Sequence, residues 1–327
     1  LTSLPFSLIE NPGGILQATF NDRPILSYNY VNADVLPEEV PKPYFHPLRT
    51  LGGSTVTLCR PNDHPWHKGV GMTLTNVGAT NFWGGVTYRK GEGYIWLDNH
   101  GRQRHLRRTH LAHDNHGGSW AHDIAWETAD NKVLLDENRR LSIRVHPADA
   151  YWTLDLEMDL RNATNESLGL GTYEANEELQ GSFYTGLFWR IPREFLDHIA
   201  LRKFRAKGAV FAEGLAKDDE GMHGKPARWI ALHGSIDGRV EPVTVALIDR
   251  SAPGVSQPRV FIRKVMVGIG LPFQGPQQLS LAAGEHLRLR YQLVVADGHW
   301  EQDRIAEYCG KVAATPVVTD LATGVAT

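Results

Sequence analysis

The strongest constraint in this chain is a repeat of two. Trp152, Leu154, Leu156, Met158 and Leu160 alternate with Thr153, Asp155, Glu157 and Asp159. Extended backbone sends successive side chains to opposite faces, so this pattern makes a strand with one apolar and one charged face. Leu287, Leu289, Tyr291, Leu293 and Val295 repeat the device against Arg288, Arg290 and Gln292, just after the turn-like Ala283-Gly284. Half-buried strands of this kind pair antiparallel and need a second layer over their apolar face.

Shorter runs at 6–9, 15–20, 25–30, 133–135, 141–145, 187–191, 229–232, 243–248 and 260–262 predict further strands. Asn21-Asp22-Arg23-Pro24 and Asp136-Glu137-Asn138-Arg139 are read as hairpin turns between them. Helix is scarce, and the best candidate covers about 300–312, with Ile305, Cys309 and Val312 near one face. The reading is an all-β chain: one large antiparallel β-sandwich domain over 1–315 with a short C-terminal helix, and a frayed tail over 316–327.

Composition narrows the function classes. With 34 Lys+Arg against 37 Asp+Glu, the net charge of -3 argues against nucleic acid as a partner. No run approaches the roughly 18 apolar residues of a membrane span. Cys59 and Cys309 have no CxxC partner, which excludes a disulfide framework and a cysteine zinc site. Residues 1–11 show no basic stretch followed by an apolar core, so a cytoplasmic protein is expected and secretion is disfavoured. No GxGxxG, Walker A, GxSxG or HExxH motif is present.

Histidine is the anomaly. There are 15, nine of them between His46 and His122. Imidazole titrates near neutrality and serves as acid, base or metal ligand, so this density directs attention to two segments. The first combines Lys42-Pro43-Tyr44-Phe45-His46-Pro47-Leu48-Arg49 with Arg60-Pro61-Asn62-Asp63-His64-Pro65-Trp66-His67-Lys68-Gly69. Its prolines remove backbone donors, which predicts irregular backbone at a sheet edge. Asp63, His64 and His67 are candidate catalytic residues, because a carboxylate on the far imidazole nitrogen fixes the tautomer and raises basicity. His64 and His67 are equally half of a metal site, with His46 as the third candidate ligand for a divalent ion. The second segment holds His100, His105, His110, His113, His116 and His122 among arginines and reads as a solvated basic strand or loop.

Glu174 and Glu177, in Thr172-Tyr173-Glu174-Ala175-Asn176-Glu177-Glu178, are candidate general bases at a strand mouth. Trp66, Phe82, Trp83, Tyr88, Trp96, Trp189 and Trp229 offer flat faces of the kind on which sugar rings stack. His46, Arg49, Trp66, Lys68, Asn81, Trp83 and Arg190 complete a candidate substrate-binding set.

The motifs Lys42 to Leu48, Asp63 to Gly69, Asn81-Phe82-Trp83-Gly84, and Ala283 to Tyr291 resemble the DUF6807 family, often labelled methane oxygenase PmoA-like, over about 10–310. A true particulate methane monooxygenase subunit is membrane-embedded, which the lack of an apolar span opposes. The resemblance implies a fold similar to the galactose-mutarotase-like supersandwich, with an open cleft that takes a small-molecule carbohydrate. It also implies an oxidised sugar or glycoside as substrate class. The expected function is therefore a carbohydrate-active enzyme in which His64 or His67 and a facing Glu174 or Glu177 move protons in an elimination, hydrolysis or epimerisation. Lys68, Arg49 or Arg190 would hold the developing enolate. Two rivals stand beside it: a non-catalytic carbohydrate-binding sandwich, and a metal-dependent hydrolase or lyase using His64, His67 and either His46 or Glu174. Neither the exact sugar nor the oligomeric state, homo-oligomer included, follows from the residues.

Overall fold

A computed structural model describes residues 5–32, 35–195, 208–218, 221–263 and 267–315. The expected tail, 316–327, lies outside the described residues. The alternating pattern becomes two eight-stranded sheets. The first runs in the order Phe6–Asn11, Ile15–Phe20, Arg23–Asn29, Tyr44–Leu48, Val70–Leu74, Thr185–Arg190, Gly268–Leu271, Phe261–Arg263. The second runs Ala209–Ala212, Trp229–Gly234, Val243–Asp249, His286–Asp297, Tyr151–Asn162, Val133–His146, Gly117–Glu127, Arg102–His113. Neighbouring strands within both are antiparallel.

Leu8, Leu16, Leu26 and Phe45 from the first sheet and Trp120, Leu141, Leu154 and Leu289 from the second belong to one buried apolar cluster. The expected antiparallel sandwich is therefore formed, with its core between the sheets. Gln302–Ala314 is the C-terminal helix, and Ile305, Cys309 and Ala313 cover Trp229, Ala231 and Ala246 on the outer face of the second sheet. No helix among the described residues is long and apolar enough to cross a membrane.

Three expectations are corrected. Asp136 to Arg139 is no hairpin: it lies inside the 14-residue strand Val133–His146, paired on both sides. Glu137 and Arg139 occupy inward positions of the alternation and form a buried ion pair, with Arg139 Nε donating to Glu137 Oε1 at 2.6 Å. Tyr28 and Trp126 complete the network. Residues 42–48 are not wholly irregular, because Tyr44–Leu48 is a strand within the first sheet. Phe45 alone pairs with the next strand, opposite Val70, so the prolines thin the ladder without ending it. Glu174 and Glu177 sit on a five-residue helix, Tyr173–Glu177, capped by Thr172 Oγ1 accepting from the Ala175 N–H at 3.0 Å.

The Asn21-Asp22 turn is a two-residue hairpin loop with φ of 48° and 60°. Arg23 and Pro24 already belong to the strand that follows. Arg102–His113 is an edge strand of the second sheet, as a solvated basic strand would be, but His100 and His122 of the same histidine-rich segment are buried, His122 in the neighbouring strand Gly117–Glu127.

Candidate functional site

Alternation along Thr185–Arg190 puts Leu187 and Trp189 in the core and turns Phe188 to the opposite face. There Phe188 meets Trp83, Phe183 and Phe261 in a separate apolar group. The Arg60–Gly69 segment packs onto this outer face as tight turns. Arg60 N–H donates to His67 O at 2.7 Å, His64 N–H to Pro61 O at 3.1 Å and His67 N–H to His64 O at 2.9 Å. These turns bring His64 and His67 together with ring centroids 4.8 Å apart and planes 20° apart. His67 also packs on Phe188 at 4.9 Å and edge-on to Trp83 at 5.9 Å.

The histidine pair opens into a cavity of about 410 Å³ lined by His64, Trp66, His67, Trp83, Gly84, Val86, Tyr94, Tyr173 and Tyr184. Its volume suits a small ligand, and its walls are flat aromatic faces interrupted by hydroxyls. Glycine is required on the wall behind Trp66: Gly84 and Gly85 have φ of +108° and +67°, and a Cβ on Gly85 would stand 2.5 Å from the indole. Trp83 is fixed from below. Lys42 Nζ donates to its carbonyl at 2.8 Å, and Asn81 Oδ1 accepts from the Trp83 and Gly84 N–H groups at 2.8 and 3.0 Å. Trp96, 62% exposed, stands edge-on to Trp66 at 6.4 Å outside the cavity lining.

Asp63 Oδ2 accepts from His64 Nδ1 at 3.0 Å, and Asp63 Oδ1 is held by Arg193. A carboxylate acceptor selects the tautomer with its proton on Nδ1, in which the Nε2 lone pair of His64 is the acceptor. Although burial opposes it, the His64 bond, with the Asp63 backbone and Arg193, holds the Asp63 carboxyl below its ordinary value. His67 is held well below the ordinary histidine range, first by burial and then by the charges of His64, Arg190 and Lys42. It is neutral at pH 7, and its buried Nδ1 has no hydrogen-bond partner. Burial, with the neighbouring Lys68 charge, lowers Lys42 to about 7. Burial chiefly raises Tyr94, and lifts Tyr173 to about 12, so both keep their phenolic protons.

Asp63, His64, His67, Trp66 and Trp83 are thus brought together, and Arg190 lies behind His67. Other candidates are placed elsewhere. Lys68 is buried with Nζ 2.6 Å from Glu39 Oε2, and Arg60 reaches the same carboxylate at 2.7 Å, so the Lys68 charge is spent on structure. Asn81 is fully buried and gives its amide to Thr87 Oγ1 at 3.1 Å, which makes it a support for Trp83 rather than a ligand contact. His46 Nδ1 meets Thr57 Oγ1 at 2.9 Å, and burial, helped by Arg49, lowers it to about 4. Neither His46 nor Arg49 lines the cavity. Glu174 and Glu177 do not line it either: Glu177 Oε2 accepts from the Lys90 N–H at 2.9 Å, and Glu174 Oε2 is buried without a partner. Phe82 and Trp189 are core residues, and Trp229 packs under the C-terminal helix.

The expected metal ligands are not assembled. Among the described residues no group of three His, Cys, Asp or Glu side chains is placed to hold an ion. The near-parallel stacking of His64 and His67 also directs their in-plane lone pairs alongside each other rather than to one point. Conversely, Tyr94, Tyr173 and Tyr184 belong to the wall and were not expected there. They come from a short hairpin, a one-turn helix and the residue before a strand, so no local pattern joins them.

No curated protein matches the sequence. Among solved structures, a polysaccharide lyase has a TM-score of 0.35 at 12% identity, with 95% of this chain covering 35% of that one. The alpha-galactosidase from Lactobacillus brevis has a TM-score of 0.36 at 8% identity, with 92% of this chain covering 39% of it. The chain thus spans well under half the length of those two. Slr1438 from Synechocystis is of similar length, with a TM-score of 0.34, 8% identity, and 89% of this chain covering 91% of it. At such scores no residue role or activity follows from these likenesses. The DUF6807 profile matches residues 16–310, and the chain belongs to this family of unknown function.

Proposed function

We propose that this protein is a carbohydrate-active enzyme in which His64, oriented by Asp63, exchanges a proton with a sugar seated in the aromatic cavity. The observation that carries the reading is the Asp63–His64 pair at the wall of a cavity faced by Trp66, Trp83, Tyr94, Tyr173 and Tyr184. Indole and phenol faces suit the C–H faces of a sugar ring, and hydroxyls suit its polar edge. A ketone on the sugar acidifies the adjacent C–H. His64 Nε2 takes that proton, and a protonated tyrosine of the wall donates to the oxygen on which charge develops. Elimination, epimerisation and loss of a glycosidic leaving group can all begin with this step. Neutral His67 packs against His64 and keeps its ring in place.

The test is a panel of sugars and keto-glycosides assayed for binding and product with wild type, His64→Ala and Trp66→Ala. His64→Ala should lower kcat by about 10²–10⁴ while binding persists. Trp66→Ala should weaken binding roughly tenfold, about 1.4 kcal/mol. Binding without turnover in wild type would make the cavity a recognition site and nothing more.

A further inference from the structure

Arg190 ends the strand Thr185–Arg190 on the face shared with Phe188, which packs on His67. Its backbone N–H donates to Gly69 O at 2.7 Å, so it lies against the end of the histidine loop. Its side chain is fully buried, and Nε, Nη1 and Nη2 all lack a hydrogen-bond partner. A buried guanidinium with five unused N–H groups is one of the most unfavourable arrangements a protein can hold without a counter-charge. Among the described residues Asp63 is the carboxylate whose charge acts on it, but Asp63 makes no hydrogen bond to the guanidinium and is already engaged. Arg60 and Lys68 share Glu39, while Arg193 and His64 share Asp63. Four cations, Arg60, Lys68, Arg190 and Arg193, therefore stand against two carboxylates, an excess of two positive charges, and of the four Arg190 is the one that pairs directly with neither. His67, whose buried Nδ1 also lacks a partner and which feels the Arg190 charge, lines the cavity, while Arg190 itself does not. Burial lowers Arg190 to about 10, which leaves it charged at neutral pH.

We infer that the ligand is an acidic sugar, with a carboxylate that enters past His67 and pairs with the guanidinium fork of Arg190. This rests on the sugar reading of the cavity and names its substrate class. The planar fork suits a carboxylate in two parallel hydrogen bonds, and burial makes such a bond strong. Keto and carboxylate groups on one ring would also place the reacting C–H at a fixed position relative to His64.

The test compares matched pairs, glucuronate with glucose and galacturonate with galactose, by calorimetry, with glucose 6-phosphate as a third arm. Wild type should bind the acid at least about tenfold more tightly than its neutral partner. In Arg190→Met that ratio should collapse to about one, while the unliganded protein melts no lower than wild type, because an unpaired buried charge has been removed. A ratio near one in wild type, or a ratio retained in Arg190→Met, overturns the inference. So does a melting temperature that falls by several degrees, which would make Arg190 a structural cation. Tighter binding of the phosphate overturns the carboxylate assignment. If Arg190→Met is not recovered folded, Arg190→Lys decides: it keeps the charge and loses the fork, and a ratio unchanged by it overturns the inference. Should no sugar of either kind bind, with Trp66→Ala equally inert, it is the sugar reading that fails.

Discussion

In the proposed reaction, Asp63 is the residue on which the chemistry of His64 depends. As an acceptor for Nδ1 it selects the tautomer that leaves Nε2 basic, so Asp63→Asn should cost about 10- to 100-fold in kcat with ligand affinity little changed. Steady-state kinetics on the two proteins checks this, and an equal loss in affinity would assign Asp63 to ligand binding instead. The histidine loop was legible in the sequence because Asp63, His64, Trp66 and His67 crowd five positions of a proline-bent segment. The tyrosines were not, since Tyr94, Tyr173 and Tyr184 converge from three separate segments. Lys68 and Asn81 were misread for a related reason. A sequence shows the charge or amide but not the buried Glu39 or the Trp83 backbone that consumes it.

The strand Val133–His146 shows how polar residues mislead a reading of local pattern. Four consecutive polar residues resemble a turn, yet Glu137 and Arg139 keep the inward phase of Leu135, Leu141 and Ile143 and neutralise each other in the core. Glu137→Leu leaves Arg139 uncompensated and takes the acceptor from Trp126 Nε1, so it should destabilise the protein by about 3–5 kcal/mol. Urea denaturation measures this, and a change under 1 kcal/mol would contradict it. The irregular segment 83–86, just before the strand Thr87–Arg89, makes the complementary case. In Gly85→Ala the new methyl must push the Trp66 indole aside, so ligand affinity should fall by several-fold, as titration of tryptophan fluorescence would show. Unchanged affinity would remove Trp66 from the ligand contacts.

The sandwich as a whole was legible because alternation is a local signal that each long strand carries separately. The order of strands was not, since the first sheet sets Val70–Leu74 beside Thr185–Arg190, a pairing across more than a hundred residues that no local pattern encodes. Folding also buries histidines in neutral form. His46 is lowered to about 4, and His67 and His122 lie well below their ordinary value, each chiefly through burial. Their unfolded counterparts titrate near 6.5, so below that pH the unfolded chain binds protons that the folded one refuses. Their contribution is full above about pH 6.5 and is lost as pH falls toward the folded values. The urea midpoint should therefore be lower at pH 5 than at pH 7.5, and equal midpoints would contradict neutral burial.

The most direct test of proton exchange at His64 is hydrogen isotope exchange. Wild type and His64→Ala are incubated in D₂O with a set of keto-sugars, acidic members included, and the C–H next to the carbonyl is followed by proton NMR. Wild type should replace that proton with deuterium, and His64→Ala should slow the exchange at least about a hundredfold. Exchange at the same rate in both proteins, or in neither, would contradict the assignment of His64 as the base.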